Sequence, residues 1–179
     1  FLFSITIPDR YPFVPPIVNF LTPSRFPRCR IHPNLYADGK VCLSILNTWG
    51  GKEWVPVYSL EKIFLTIQGL LDDNPVIHEP GQERVKKTSE QGKSYVLVAL
   101  QRVLDVGVLS ILEHPDLPLP FHNVVQKFLR KHGEIYLKQV EALEESEGMT
   151  VNCFHGDETI RYNELKNNLI HLLSKFSTC

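Results

Sequence analysis

Ile31-His32-Pro33-Asn34-Leu35-Tyr36-Ala37-Asp38-Gly39-Lys40-Val41-Cys42-Leu43-Ser44-Ile45-Leu46 lies where the chain changes from one pattern to another. It is Pro-, Gly- and Asn-containing and shows no periodicity longer than a few residues. Asp38-Gly39 signals a tight turn just before the short apolar segment Val41 to Leu46. The irregular stretch as a whole runs from Pro23 to Trp54, and an irregular stretch of that length inside a compact domain is usually functional. In front of it the pattern has period two: Phe1, Phe3, Ile5 and Ile7 alternate with Leu2, Ser4 and Thr6, the signature of a half-buried strand. Pro8 to Pro12 breaks that strand, and Pro15-Pro16 leads into a second one, Ile17 to Leu21. Seven of the thirteen prolines fall within the first 33 residues, which excludes helix there. The two strands are expected to form an antiparallel pair.

Behind the irregular stretch the period becomes helical. Leu60, Ile63, Phe64, Ile67, Leu70 and Leu71 form one stripe, with Ser59 as N-cap and Asn74-Pro75 as the stop. A polar loop to about Ser94 precedes a nearly apolar segment, Tyr95 to Leu112, expected as a buried helix although its valines are poor helix formers. Pro115, Pro118 and Pro120 suggest a hinge. Phe121, Val124, Val125, Phe128, Leu129, Tyr136, Val140 and Leu143 predict a further helix, with Gly133 as a candidate kink. Glu144 to Gly156 reads as a polar loop, and Tyr162 to Phe176 as a last amphipathic helix. Strands first and helices after is an α+β pattern.

Composition narrows the function classes. With 179 residues the chain suffices for one domain, or one domain with a helical appendage. At 43% hydrophobic and 22% charged residues, wholesale disorder is excluded. Nineteen basic against twenty acidic residues leave a net charge of −1, which argues against a nucleic-acid partner. The longest uninterrupted apolar run is Val96 to Leu100, far short of the about 20 residues of a membrane span, so no membrane partner is expected. Four cysteines, at 29, 42, 153 and 179, are too sparse for a disulfide framework and agree with a reducing compartment.

Cys42 follows the tight turn, and Asn34, eight residues upstream, can fold back toward its sulfur. An amide N–H beside a thiol suits acyl transfer, in which a tetrahedral intermediate develops an oxyanion. A buried core cysteine is the plainer alternative. Cys29, His32 and Cys42 lack a fourth ligand at a sensible spacing for zinc, so no metal is expected. A cysteine protease would need a base oriented by a third group, and nothing local supplies one.

His32-Pro33-Asn34, Cys42 eight residues later, and then Trp54-Val55-Pro56 resemble the active-site signature of the ubiquitin-conjugating enzymes. Tyr11-Pro12-Phe13-x-Pro15-Pro16 is similar to the family's loop between two long strands, and Ser59 to Leu71 to the helix after the active site. The resemblance covers about residues 1–80. Ser44, where smaller members usually carry Asp, the insertion Gly50 to Glu53, and Asn74-Pro75-x-x-His78-Glu79-Pro80-Gly81 resemble the large members. The helical continuation to Cys179 resembles the Z type, which is associated with apoptosis and accepts both ubiquitin and a tandem ubiquitin-like modifier.

The resemblance implies an α+β ubiquitin-conjugating fold, an antiparallel sheet packed on helices. The core would occupy residues 1–113, with a helical C-terminal extension over 114–179. A helix and two strands would precede Phe1. Cys42 would carry the modifier as a thioester, Asn34 would support the oxyanion or its loop, and His32 would support the loop structurally. Phe13, Pro56 and Val57 match positions where the family docks ligases, although ordinary loop packing would also account for them. Ser44 cannot supply the negative charge that Asp offers an incoming lysine. His78 or Glu79 could serve as a gate that orients or deprotonates the amine, against the alternative of a solvated loop pair. The implied partners are ubiquitin or a ubiquitin-like modifier, an activating enzyme and ligases. ATP and nucleotide binding belong to the pathway through the activating enzyme, so no bound cofactor is expected. The implied location is cytoplasmic and nuclear. A non-catalytic ubiquitin-conjugating-like binding module is the alternative from another class; such modules lack the cysteine.

Overall fold

The computed structural model describes residues 1–21, 30–114, 117–153 (without the Cys153 side chain) and 156–176. Cys29, Pro115 and Cys179 lie outside the described residues. Strands β1 (Leu2–Thr6) and β2 (Ile17–Leu21) pair antiparallel, with Leu2 opposite Leu21 and Thr6 opposite Ile17. Alternation along β2 buries Val18 and Phe20 and leaves Ile17 exposed, as a sheet with one face on a core requires. The Phe3 and Phe20 rings meet at 5.4 Å on the buried face.

Helix α1 (Leu60–Leu70) starts at Ser59, whose hydroxyl accepts from the Lys62 N–H at 3.3 Å. It buries Ile63, Ile67 and Leu70, while Phe64 and Leu71 from the expected stripe face outward. Helix α2 (Glu90–Val103) begins inside the expected polar loop, capped by the Ser89 hydroxyl on the Gly92 N–H at 3.1 Å. The expected continuous helix to Leu112 does not form. A π-helical turn over Leu104–Leu109 follows α2, closed by a Ser110 N–H to Asp105 carbonyl bond at 3.1 Å, and then a 3-10 turn, Ile111–Glu113. Widening the helix sends Val106 into one core and Leu104, Val108 and Leu109 into another.

Helix α3 (Leu119–Glu141) starts at Pro118 and Pro120, where proline suits a first turn. It runs unbroken through Gly133. A Cβ there would lie 2.5 Å from Leu173 Cδ2, so this glycine admits close packing of α4 (Tyr162–Ser174) and makes no kink. The expected loop between the two helices contains a hairpin instead: β3 (Thr150–Cys153) pairs antiparallel with β4 (Gly156–Thr159).

Two apolar cores result. The front core joins Val18, Phe20, Ile31, Leu35, Val41, Leu43, Ile45, Leu46 and Trp54 to the inner face of α1. The rear core joins α2 and the π-helical turn to α3, α4 and the hairpin, around Leu104, Leu129, Val140, Leu143, Ile160 and Leu165. Small paired strands packed on helices make this an α+β fold.

Candidate active site

The segment after Arg30 is shaped by a short irregular hairpin. Leu35 bridges Val41 antiparallel, the Tyr36 N–H donates to the Lys40 carbonyl at 2.9 Å, and the Cys42 N–H donates to the Asn34 carbonyl at 2.9 Å. Gly39 sits in the turn at φ +94°, where an L side chain is strained. Its carbonyl accepts from the Phe20 N–H at 2.8 Å, so the hairpin is docked on the edge of β2. Asp38-Gly39 therefore does place Asn34 across from Cys42.

The Asn34 amide is aimed at the backbone of Cys42: Nδ2 donates to the Cys42 carbonyl at 2.7 Å. Its Oδ1 is buried without a hydrogen-bond partner among the described residues, an acceptor that gains about 1–3 kcal/mol once a donor reaches it. The Cys42 residue is itself 1% exposed, between buried Val41 and Leu43. A thiol so placed reacts only when its cover opens.

His32 is 3% exposed. Its Nδ1 accepts the Asn34 N–H at 3.1 Å, which assigns the ring proton to Nε2. Burial, then the neighbouring His78, pushes the His32 pKa down to about 4, with the Asp72 carboxylate partly opposing. The ring is thus a neutral acceptor near pH 7. The His78 ring lies 4.9 Å from it, and His78 Nε2 is 2.9 Å from Asp72 Oδ2. Burial opposes ionisation of Asp72, but the bonds from His78 and from the Asn74 N–H hold its carboxyl below the usual range.

His78 and Glu79, the two gate candidates, diverge. His78 lies against His32, whereas Glu79 is 7% exposed and turned inward, accepting from the Tyr95 hydroxyl at 2.9 Å and lying 3.8 Å from Arg30 Nη1. A carboxylate in those bonds ties the loop to α2 and is not presented to an incoming amine. Ser44 opens the 3-10 turn Ser44–Leu46 that follows Cys42.

Side chains that the sequence reading passed over hold this backbone. The Thr48 hydroxyl donates to the Val41 carbonyl at 2.6 Å and accepts from the Leu43 N–H at 2.9 Å, bracketing Cys42. Asn47, in the left-handed region at φ 57°, accepts the Trp54 N–H at 2.8 Å. Arg30 donates to the Pro33 carbonyl and stacks 4.2 Å over the Tyr36 ring. Thr48 and Asn47 follow an apolar segment directly, and that break in hydropathy was the available signal. Arg30 carried none.

Phe13, Pro56 and Val57 are exposed, Phe13 at 74% and Val57 at 85%. Their loops are tied together by Trp54, whose Nε1 donates to the Pro12 carbonyl at 2.6 Å and whose ring meets Tyr11 at 5.9 Å. The exposed apolar side chains thus stand on two loops joined through a buried tryptophan. Among the described residues, no three His, Cys, Asp or Glu side chains are grouped to hold a metal ion.

Comparison with known proteins bears on the same segment. The family model described as ubiquitin-conjugating enzyme matches residues 1–99, more than half of the chain. The chain is 36% identical over 137 residues to ubiquitin-conjugating enzyme E2 Z of Xenopus tropicalis, covering 76% of this chain and 43% of that protein. It is 34% identical over 137 residues to the human E2 Z, covering 76% and 38%. It is also 36% identical over 155 residues to human dual E2 ubiquitin-conjugating enzyme/E3 ubiquitin-protein ligase BIRC6, covering 82% of this chain and 3% of that protein. The chain thus spans less than half the length of these relatives, and the resemblance to the Z type is borne out as a likeness to named Z-type enzymes. With the strand pair, the Asn34–Cys42 hairpin and the helix after it in the order the motifs implied, the chain belongs to the ubiquitin-conjugating enzyme family.

Proposed function

We propose that the protein accepts ubiquitin, or a ubiquitin-like modifier, from an activating enzyme as a thioester on Cys42 and passes it to a substrate lysine or to a ligase. The observation that carries this reading is the pairing of Asn34 with Cys42: the amide side chain reaches the backbone of the thiol residue across a docked hairpin, with neutral His32 behind it. Loading exchanges one thioester for another. The Cys42 thiolate attacks the modifier's C-terminal carbonyl, the new C–S bond forms, and the activating enzyme's thiolate leaves and takes up a proton. Such an exchange is nearly isoenergetic and depends on geometry more than on a strong base. In discharge the lysine amine attacks, loses a proton, and Cys42 leaves as thiolate.

Because ATP is consumed by the activating enzyme, this chain needs no cofactor of its own. Phe13, Pro56 and Val57 are the surface we assign to ligases. A thiol that must stay reduced agrees with a cytoplasmic and nuclear location. Likeness to the Z-type enzymes supports assignment to that type, and we extend to this chain the modifier choice and the link to apoptosis that the resemblance implies.

The test mixes the protein with activating enzyme, ubiquitin and ATP. The expected product is one added ubiquitin mass, lost on reduction, while Cys42→Ser gives at most a slow oxyester because an alcohol is far less ionised than a thiol. An adduct that survives Cys42→Ala but vanishes in Cys29→Ala would overturn the assignment. Asn34→Ala is expected to slow discharge to free lysine by about 10²–10³ with loading near normal if its amide also serves the oxyanion. Parallel loss of loading, discharge and melting temperature would make it scaffolding, the role its bond to the Cys42 carbonyl already performs.

A further inference from the structure

Arg30 is one of the places where the two halves of the molecule meet. Its backbone carbonyl accepts from Arg102 Nη1 at 2.9 Å, on α2. Arg102 in turn holds the β4 residue Glu158 through Nε and Nη2, at 3.1 and 2.6 Å from Oε2. The other oxygen of Glu158 accepts from the fully buried Gln101 at 3.2 Å. The Arg30 guanidinium points the opposite way, to the Pro33 carbonyl, the Tyr36 ring and Glu79. An unbroken series of bonds therefore runs from the rear hairpin through α2 into His32-Pro33-Asn34.

That segment is a tight turn, closed by the Leu35 N–H donating to the His32 carbonyl at 3.0 Å. Pro33 has no N–H to donate, and its carbonyl is held by Arg30. Within the turn the Asn34 N–H donates to His32 Nδ1, and Asn34 is bonded across to Cys42 through both its carbonyl and its amide. A turn closed by its own bonds moves as a unit, and its placement is set by what anchors it. The Arg102–Glu158 pair is largely shielded from water, where charge-assisted bonds constrain geometry more firmly than at the surface.

We propose that Glu158, Arg102 and Arg30 are positioning residues for the transfer site: the β3–β4 hairpin sets the conformation of His32-Pro33-Asn34, and so the placement of Asn34 against Cys42. The consequence for transfer rests on the reading of Cys42 as the thioester carrier. A displacement of 1 Å at such a site can cost about 10²-fold in rate, so a distant anchor is sufficient to control it.

The test compares three variants of the full chain. Arg102→Lys keeps the charge facing Glu158 but replaces the fork whose three nitrogens bond Glu158 and the Arg30 carbonyl with a single nitrogen. Glu158→Gln weakens the anchor on β4. Leu143→Ala lowers stability from inside the rear core without touching the series of bonds. Amide hydrogen exchange at Asn34 and Cys42 is measured at an equal interval below each melting temperature, alongside single-turnover discharge of loaded Cys42 to free lysine. Arg102→Lys is expected to speed exchange at both amides, and to slow discharge, by about tenfold, and Glu158→Gln by a few-fold. Leu143→Ala should change neither. If the Asn34 and Cys42 amides exchange no faster in Arg102→Lys than in Leu143→Ala, the bonds merely join two cores and the proposal is wrong. If the unaltered protein fails to load while exchange still responds to Arg102→Lys, the transfer reading falls and the positioning of the segment stands.

Discussion

Around Cys42 the backbone is held by individual side chains, whereas around Leu143 it is held by helices. Between Arg30 and Ser59 the only regular element is the three-residue turn Ser44–Leu46. Thr48, Asn47 and Asn34 fix backbone groups there, and Trp54 holds the Pro12 carbonyl of the preceding loop. The rear core is made by stripes from α2, α3 and α4 meeting over Leu129, Val140, Leu143, Leu165 and Leu169. Helix packing spreads its free energy over many small apolar contacts, so damage there appears as a loss of global stability. Specific polar bonds place atoms one at a time, so damage there appears first as a change of geometry. A site that moves an acyl group needs placement, and the apolar interior of the rear core needs only to stay folded.

The largest expected effect breaks the rear half alone. Leu143→Ala removes a fully buried side chain and should cost about 2–5 kcal/mol of unfolding free energy in denaturant titration. Loading of Cys42, per folded molecule, should be unchanged, and a proportionate loss of loading would erase the distinction between the halves.

The next effect belongs to the front half and depends on pH. The His32 ring stays neutral in the fold down to about pH 4, while the unfolded ring takes up a proton below about 6.5. Between those values the unfolded state binds more protons. The stability His32 contributes is therefore complete above pH 6.5 and declines by about 3 kcal/mol as the pH falls to 4. In His32→Gln that part of the acid sensitivity should disappear. Identical pH dependence of unfolding in the two proteins would show that another group controls it.

Thr48→Val comes third. It keeps the shape but strands the Leu43 N–H and the Val41 carbonyl on either side of Cys42, at a cost of about 1–3 kcal/mol. Its sharper signature is local: a thiol reagent should reach Cys42 sooner than in the unaltered protein, measured by the rate of labelling. Unchanged labelling would mean that Thr48 does not control the cover over the thiol.

Ser59→Ala is the smallest, about 1 kcal/mol, from loss of the cap on α1. Because α1 packs its inner face on the front core, the melting temperature should fall slightly while the rear hairpin's amide exchange stays as it was.

The sequence was most legible where local chemistry and tertiary demand agree. β2 spans Ile17–Leu21, the range its flanking prolines bracket, and Ser59 caps α1 as its hydroxyl and the stripe behind it imply. Asn34 and Cys42 could be picked out because their spacing around Asp38-Gly39 leaves few ways to fold back, and His32 through the resemblance of His32-Pro33-Asn34 to the family's motif. The hairpin β3–β4 was read as loop because four-residue strands containing Asn, Gly and Asp carry little period-two signal. Part of their hold comes from elsewhere: Gln101 and Arg102 on α2 bind Glu158 and the Thr159 carbonyl. Gly133 was read as a kink because glycine weakens a helix, and the space it leaves is taken by Leu173 on another helix.

By itself the sequence determined the front strand pair, the amphipathic helices and the turn that brings Asn34 and Cys42 together; the family was legible from the resemblance of whole motifs, His32-Pro33-Asn34 with Cys42 and Trp54-Val55-Pro56. The strands, helices and turn follow from periodicity, capping and spacing, which act within a few residues of the chain. Only the tertiary structure decided that Cys42 is covered, that Glu79 is turned away to Tyr95, that His32 is held neutral beside His78, and that Arg102 links Glu158 to Arg30. Burial, pKa and hydrogen-bond partners depend on groups brought together from 16 to 72 positions apart in the case of the Tyr95–Glu79 and Arg102–Arg30 bonds, and no local pattern encodes which of the many polar side chains will meet.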